Sequence, residues 1–129
     1  MGDIDSIYSH GITRDLPLLG KWEFPPIMGT DDIPDSLMGF NYMLSDKGQS
    51  VDKTIHFYLD DYQFERLWNK PDTYIPMLKP YRSCLTPDFS LYRDYPLAMQ
   101  IYNCFRSRAI GFMMEQEGIK VIPTLHKRQ

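Results

Sequence analysis

HFYLDDYQFERLW, His56 to Trp68, changes its pattern at a pair of aspartates, and the change decides the fold. Upstream, the run TIHFYL is β-branched and aromatic and reads as a strand buried on both faces. Downstream, DYQFERLW takes helical spacing, with Phe64, Leu67 and Trp68 on one face. Asp61 stands four residues before Glu65, where a helix N-cap belongs, and Asn69-Lys70-Pro71-Asp72 breaks the run. A strand that passes straight into a helix is the opening of a βαβ unit.

The same alternation continues toward the C-terminus. Tyr74, Ile75 and Leu78 predict a second short helix ending at Pro80, and SCLTP, Ser83 to Pro87, predicts a second strand closed by Pro87-Asp88. From Tyr95 to Glu117, Ala98, Ile101, Tyr102, Phe105, Ala109, Phe112 and Met113 recur at steps of three and four. They predict a long amphipathic helix with Pro96 in its first turn and Gly118 at its C′ position. IKVIPTL, Ile119 to Leu125, predicts a third strand. Strand, helix, strand, helix, strand over residues 53–125 implies parallel strands with right-handed crossovers. The expected fold is a single α/β domain over residues 1–129 with a βαβαβ core, either doubly wound or a partial β/α barrel. Residues 1–50 are punctuated by Gly20, Pro25-Pro26, Gly29, Pro34 and Gly48 and are expected to hold only short or irregular elements. Within them SLMGFNYML, residues 36–44, is an apolar run compatible with strand or helix.

Composition narrows the function classes. With 129 residues, 43% hydrophobic, 14% aromatic and 24% charged, the chain is a folded single-core domain and is excluded from the disordered class. A net charge of −3 supplies no overall attraction for nucleic acid, which leaves only a local patch from Arg82, Arg93, Arg106, Arg108 and Lys127-Arg128. Arg106 and Arg108 lie deep in the long helix, far from its N-terminus, and are expected to pair with carboxylates rather than bind phosphate. Cys84 and Cys104 have no zinc-ligand spacing and are expected to be reduced and inert. No apolar run approaches membrane length, and MGDIDSIYSH lacks a signal-peptide pattern, so a cytoplasmic setting is expected.

Parallel α/β proteins bind ligands beyond the carboxyl ends of their strands. Here those ends are Asp60-Asp61, Pro87-Asp88-Phe89-Ser90, and Pro123-Thr124 with His126 just beyond. Asp60 and Asp88 on neighbouring strand ends would suit a divalent metal, Mg or Mn, or an acid and base pair. As an enzyme the chain would be a metal-assisted hydrolase of a nucleotide or phosphodiester, with Ser90 or His126 assisting and Arg93 steadying an anion. As a binding protein it would use Asp61, Tyr62, Phe89, Arg93 and Asp94 at the same edge. The competing reading makes Asp61 and Asp88 or Ser90 helix caps, and places His56, inside a strand, as a core histidine.

HFYLDDYQFERLW, LTPDFSLYRDYPLAMQIYNCFRSRAIG and GIKVIPT together resemble the bacterial and phage domain of unknown function numbered 4417, over about Ser36 to Thr124. The resemblance implies a prophage or mobile-element setting. Typical members continue past the third strand, so the resemblance also implies that this chain is C-terminally short and leaves a sheet edge exposed. Three functions are weighed in order. The first is binding of a protein partner, whether a host defence or replication protein, as an inhibitor or accessory factor, or self-association. The second is the metal-assisted hydrolase, and the third is direct binding of nucleic acid. No membrane partner and no certain cofactor are expected.

Overall fold

A computed structural model describes residues 24–89 and 95–124. Among the described residues nine elements follow one another: β1 Leu37–Gly39, α1 Phe40–Asp46, β2 Thr54–His56, a 3₁₀ turn Asp61–Gln63, α2 Glu65–Asn69, α3 Pro71–Leu78, β3 Ser83–Leu85, α4 Leu97–Gln116 and β4 Val121–Ile122. The strands form one sheet in the order β1-β2-β3-β4, and every neighbouring pair is parallel. The α/β architecture is therefore as expected, with a fourth strand added ahead of the βαβαβ core. Among the described strands the order runs without a reversal, as it does in an arc of β/α barrel.

Several boundaries differ from the sequence reading, each for a local reason. SLMGFNYML divides: Leu37 to Gly39 pair with Thr54 to His56, and the helix starts at Phe40 after an extended Gly39. DYQFERLW divides as well, because Phe64 at φ −131° leaves helical geometry between the 3₁₀ turn and α2. The expected strands shrink to two or three residues, since apolar residues beyond them serve packing and not pairing. Pro96 is the N-cap of α4 and not part of its first turn, whereas Gly118 at φ +84° follows the C-cap Glu117 as anticipated.

The core lies on one face of the sheet. Ile55, Cys84 and Val121 point into it from the strands and meet Phe40, Met43, Leu67, Leu78, Ile110 and Met114 from the helices. Phe57, Phe64 and Phe89 form a chain of ring contacts at 5.5 and 5.1 Å through its centre. On the opposite face the buried hydroxyls of Thr54 and Ser83 bond to each other at 2.6 Å, which satisfies two polar groups that burial would otherwise penalise.

The irregular residues 24–36 are pinned at two places. Glu115 near the end of α4 accepts the amides of Met28 and Gly29, both at 2.8 Å. Arg82, just before β3, grips Asp32 through Nε and Nη2 at 2.9 Å and reaches Asp35 at 2.8 Å. Arg82 is thus a structural clasp at the amino edge of the sheet.

Polar pairing also shapes the α1–β2 loop. Lys47 at φ +55° and Gly48 at φ +75° reverse the chain. Asp46 then accepts the Ser50 amide at 2.8 Å and the Tyr81 hydroxyl at 2.7 Å, while that hydroxyl accepts the Gly48 amide at 3.0 Å. The Ser50 amide first, and the Tyr81 hydroxyl next, hold Asp46 below the usual carboxylate range, and Arg82 does the same for Asp32. A carboxylate depressed in the folded state adds stability that is present above its unfolded value of about 4 and is lost as pH falls through the folded value. Tyr81→Phe is expected to cost about 1 kcal/mol at neutral pH. Urea unfolding should show that difference shrinking in acid, and a difference that stays constant down to about pH 2 would contradict this linkage.

Candidate functional site

Strand alternation sets Gly39, His56, Leu85 and Ile122 in one row on the face turned away from the helices, at the carboxyl ends of the strands. His56 is the last residue of β2 and is half-buried, not enclosed in the core as its place in the apolar run suggested. Its Nδ1 accepts the Tyr58 amide at 3.1 Å, and its ring stacks on Tyr58 at 5.5 Å between centroids. Burial lowers the imidazole pKa from its ordinary value, so the ring is neutral at pH 7. With Nδ1 occupied as an acceptor, the ring proton sits on Nε2. Beside it, Asn41 in the first turn of α1 has a buried Oδ1 with no donor. Alternation within TIHFYL was the available signal: Ile55 and Phe57 are buried on the core side, and His56 and Tyr58 are not. Reading the strand as buried on both faces hid it.

The residues singled out from sequence are distributed differently. Asp60 is exposed and occupies the cap position of the 3₁₀ turn, where its carbonyl accepts the Gln63 amide at 2.9 Å and its side chain makes no cap bond. Asp61 lies inside the turn and is not the N-cap; Phe64 holds that position for α2. Tyr62 projects outward, 75% exposed. Phe89, expected at a binding surface, is instead fully buried beneath the Arg106 guanidinium, with 3.8 Å from its ring centroid to the guanidinium carbon. Asp88 is half-buried. Burial pushes the Cys104 thiol up, with Arg108 opposing and Asp88 adding to the rise, and burial does the same more strongly for Cys84. Neither thiol is prepared as a nucleophile. Ser90, Arg93, Asp94 and His126 lie outside the described residues. Among the described residues, no three of His, Cys, Asp and Glu are gathered as a metal ion requires.

Concavities occur away from this edge. A groove of about 420 Å³ runs between α3 and α4, with Ile75, Pro76, Phe112 and Met113 as walls and Asp72 and Glu117 among its lining. Its polar lining residues are Asp72, Gln116 and Glu117.

The family model described as "Domain of unknown function (DUF4417)" matches residues 16–128, which include every element of the sheet and the whole carboxyl edge just described. The chain belongs to this family. Among its relatives is the Gene 1 protein of Mycobacterium phage D29, 37% identical over 109 residues that make up 84% of this chain and 40% of the relative. The Gene 1 protein of Mycobacterium phage L5 is 39% identical over 104 residues, 80% of this chain and 45% of the relative. This DUF4417 chain therefore spans less than half the length of these relatives. No solved structure matches it. No described helix is long and apolar enough to cross a membrane.

Proposed function

We propose that the protein acts in a phage or mobile-element setting by binding a protein partner, either a host protein or a second copy of itself, across the carboxyl end of the sheet. The supporting observation is that several large apolar side chains emerge at this end. Tyr42, Tyr58 and Tyr62 follow the carboxyl ends of β1 and β2, and Leu97 and Met99 open α4, which starts on the same side. Tyr42 and Tyr62 are 66% and 75% exposed. Tyrosine offers broad apolar area with a polar tip at low entropic cost, which is why it is enriched at the centres of interfaces. The phage origin of the relatives favours the setting and leaves the partner's identity to experiment.

The test compares wild type with a Tyr42→Ser/Tyr62→Ser variant, and with Met77→Ser at the opposite end of the sheet as a control. Sedimentation over a range of concentrations reads self-association, and quantified capture from host lysate reads a foreign partner. Two interface tyrosines at roughly 1–2 kcal/mol each predict at least tenfold weaker binding in the double variant alone. Equal behaviour of all three proteins would remove the reading.

A further inference from the structure

The groove between α3 and α4 joins an apolar floor to a rim of a single charge sign. Ile75 and Met113 are buried at its base, Pro76 and Phe112 flank them, and Asp72, Gln116 and Glu117 are exposed around it. Every ionisable group of the lining is a carboxylate. Neither Asp72 nor Glu117 has a counter-ion among the described residues. Its volume of about 420 Å³ is that of an ordinary binding cleft.

Both helices add to the negative character. Glu117 is the C-cap of α4, at the negative end of the helix dipole, and no basic residue stands in the last turn to offset it. Glu115, two residues earlier, is satisfied by the amides of Met28 and Gly29, whereas Glu117 has no such partner. On the facing helix, Pro76 brings no N–H to the Asp72 carbonyl four residues back. The groove therefore gathers acceptors and negative charge beside an apolar floor.

These groups select the occupant. Phosphate, nucleic acid and anionic lipid would be repelled. A bare metal ion would find two carboxylates and no third ligand among the described residues. A cation carried next to aliphatic surface satisfies both parts of the lining, and lysine or arginine beside leucine on one helix face supplies that combination. The flexible thioether of Met113 lets the floor adapt to such side chains.

We propose that the α3–α4 groove is a docking site for a basic amphipathic helix of a partner protein. Its apolar side chains enter between Pro76 and Phe112, and its flanking cations face Asp72 and Glu117. This surface differs from the one that carries Tyr42 and Tyr62, and its test uses a defined peptide and no lysate, so either reading can fail alone.

The experiment is NMR of the full chain with ¹³C-labelled methionine methyls. The probe is a synthetic amidated peptide of leucine, lysine and alanine, about 15 residues long, with its leucines at helical spacing on one face. One comparison peptide carries glutamate for lysine, and another carries serine for leucine. The leucine–lysine peptide should shift the Met113 methyl with a Kd on the order of 100 μM at low salt, and both comparison peptides should bind at least about tenfold more weakly. Asp72→Asn/Glu117→Gln should weaken the leucine–lysine peptide at least about fivefold and flatten its salt dependence. Asp60→Asn, which removes an exposed carboxylate outside the groove, should leave the Kd unchanged. A Met113 methyl that does not respond, equal binding of either comparison peptide, or equal weakening by Asp60→Asn would overturn the proposal.

Discussion

Arg106→Ala is expected to lower the unfolding free energy by roughly 2–4 kcal/mol, which corresponds to a fall in Tm of about 10 °C for a chain of this length. The side chain is nearly buried within α4 and joins elements far apart in sequence. Nη1 pairs with Glu65 of α2, and Nη2 donates to Asn103 Oδ1 at 2.8 Å. The guanidinium lies 3.8 Å over Phe89 and 5.1 and 5.9 Å from the rings of Tyr102 and Trp68. Removal opens a void among those rings and ends the cation–π contacts, each worth roughly 1–2 kcal/mol when desolvated. Two features keep the effect below that of breaking a fully buried ion pair. Glu65 is partly exposed and can be rehydrated, and Arg106 Nε is itself buried without a partner, so its loss relieves a penalty. Arg106→Met, which keeps the stem and most of the volume, should cost about half as much. Denaturant unfolding of both variants checks this. A loss under about 0.5 kcal/mol for alanine would mean that the aromatic cluster closes without the arginine.

How far the sequence revealed this fold follows from the range of each interaction. Alternation of β-branched runs with 3.6-residue periodicity is local, so the parallel α/β class, the length of α4 and the glycine after it were all readable. The first strand was not, because three residues show no period, and Leu37 to Gly39 become a strand only by pairing with Thr54 to His56. The break in DYQFERLW is a tertiary effect too: Phe64 leaves helical geometry while its ring is held between Phe57 and Phe89. The carboxyl ends of the strands were legible from topology, but which side chains gather there was not. Asp60 and Asp61 stood out by charge and are turn residues, while His56 and Asn41 are distinguished by hydrogen bonds that they make or lack in three dimensions. Phe89 looked like loop surface because nothing local announces that Arg106, arriving from a later helix, covers it.

Gly111→Ala gives the second large effect, and here two known tendencies oppose each other. Gly111 lies inside α4, where alanine is intrinsically favoured over glycine by about 1 kcal/mol. A Cβ at that position would stand 2.5 Å from Ile27 Cδ1 and 2.9 Å from Thr86 Cγ2, both too close for carbon. The end of Ile27 belongs to the irregular segment and can swing aside. Thr86 cannot move so easily, since it is buried and its Oγ1 is held by the Thr124 hydroxyl at 2.8 Å and the Thr124 amide at 2.9 Å. Overpacking therefore outweighs propensity, and a net destabilisation of about 1–3 kcal/mol is expected, with more for Gly111→Val. The partner variant Ile27→Ala separates the two clashes. In a double-mutant cycle it should recover the part of the loss that Ile27 causes and leave the part due to Thr86. Calorimetric melts of the four proteins measure both terms. A Gly111→Ala protein that melts higher than wild type would mean that residues 24–36 yield to α4, and that the glycine is there for a reason other than the close approach of Ile27 and Thr86.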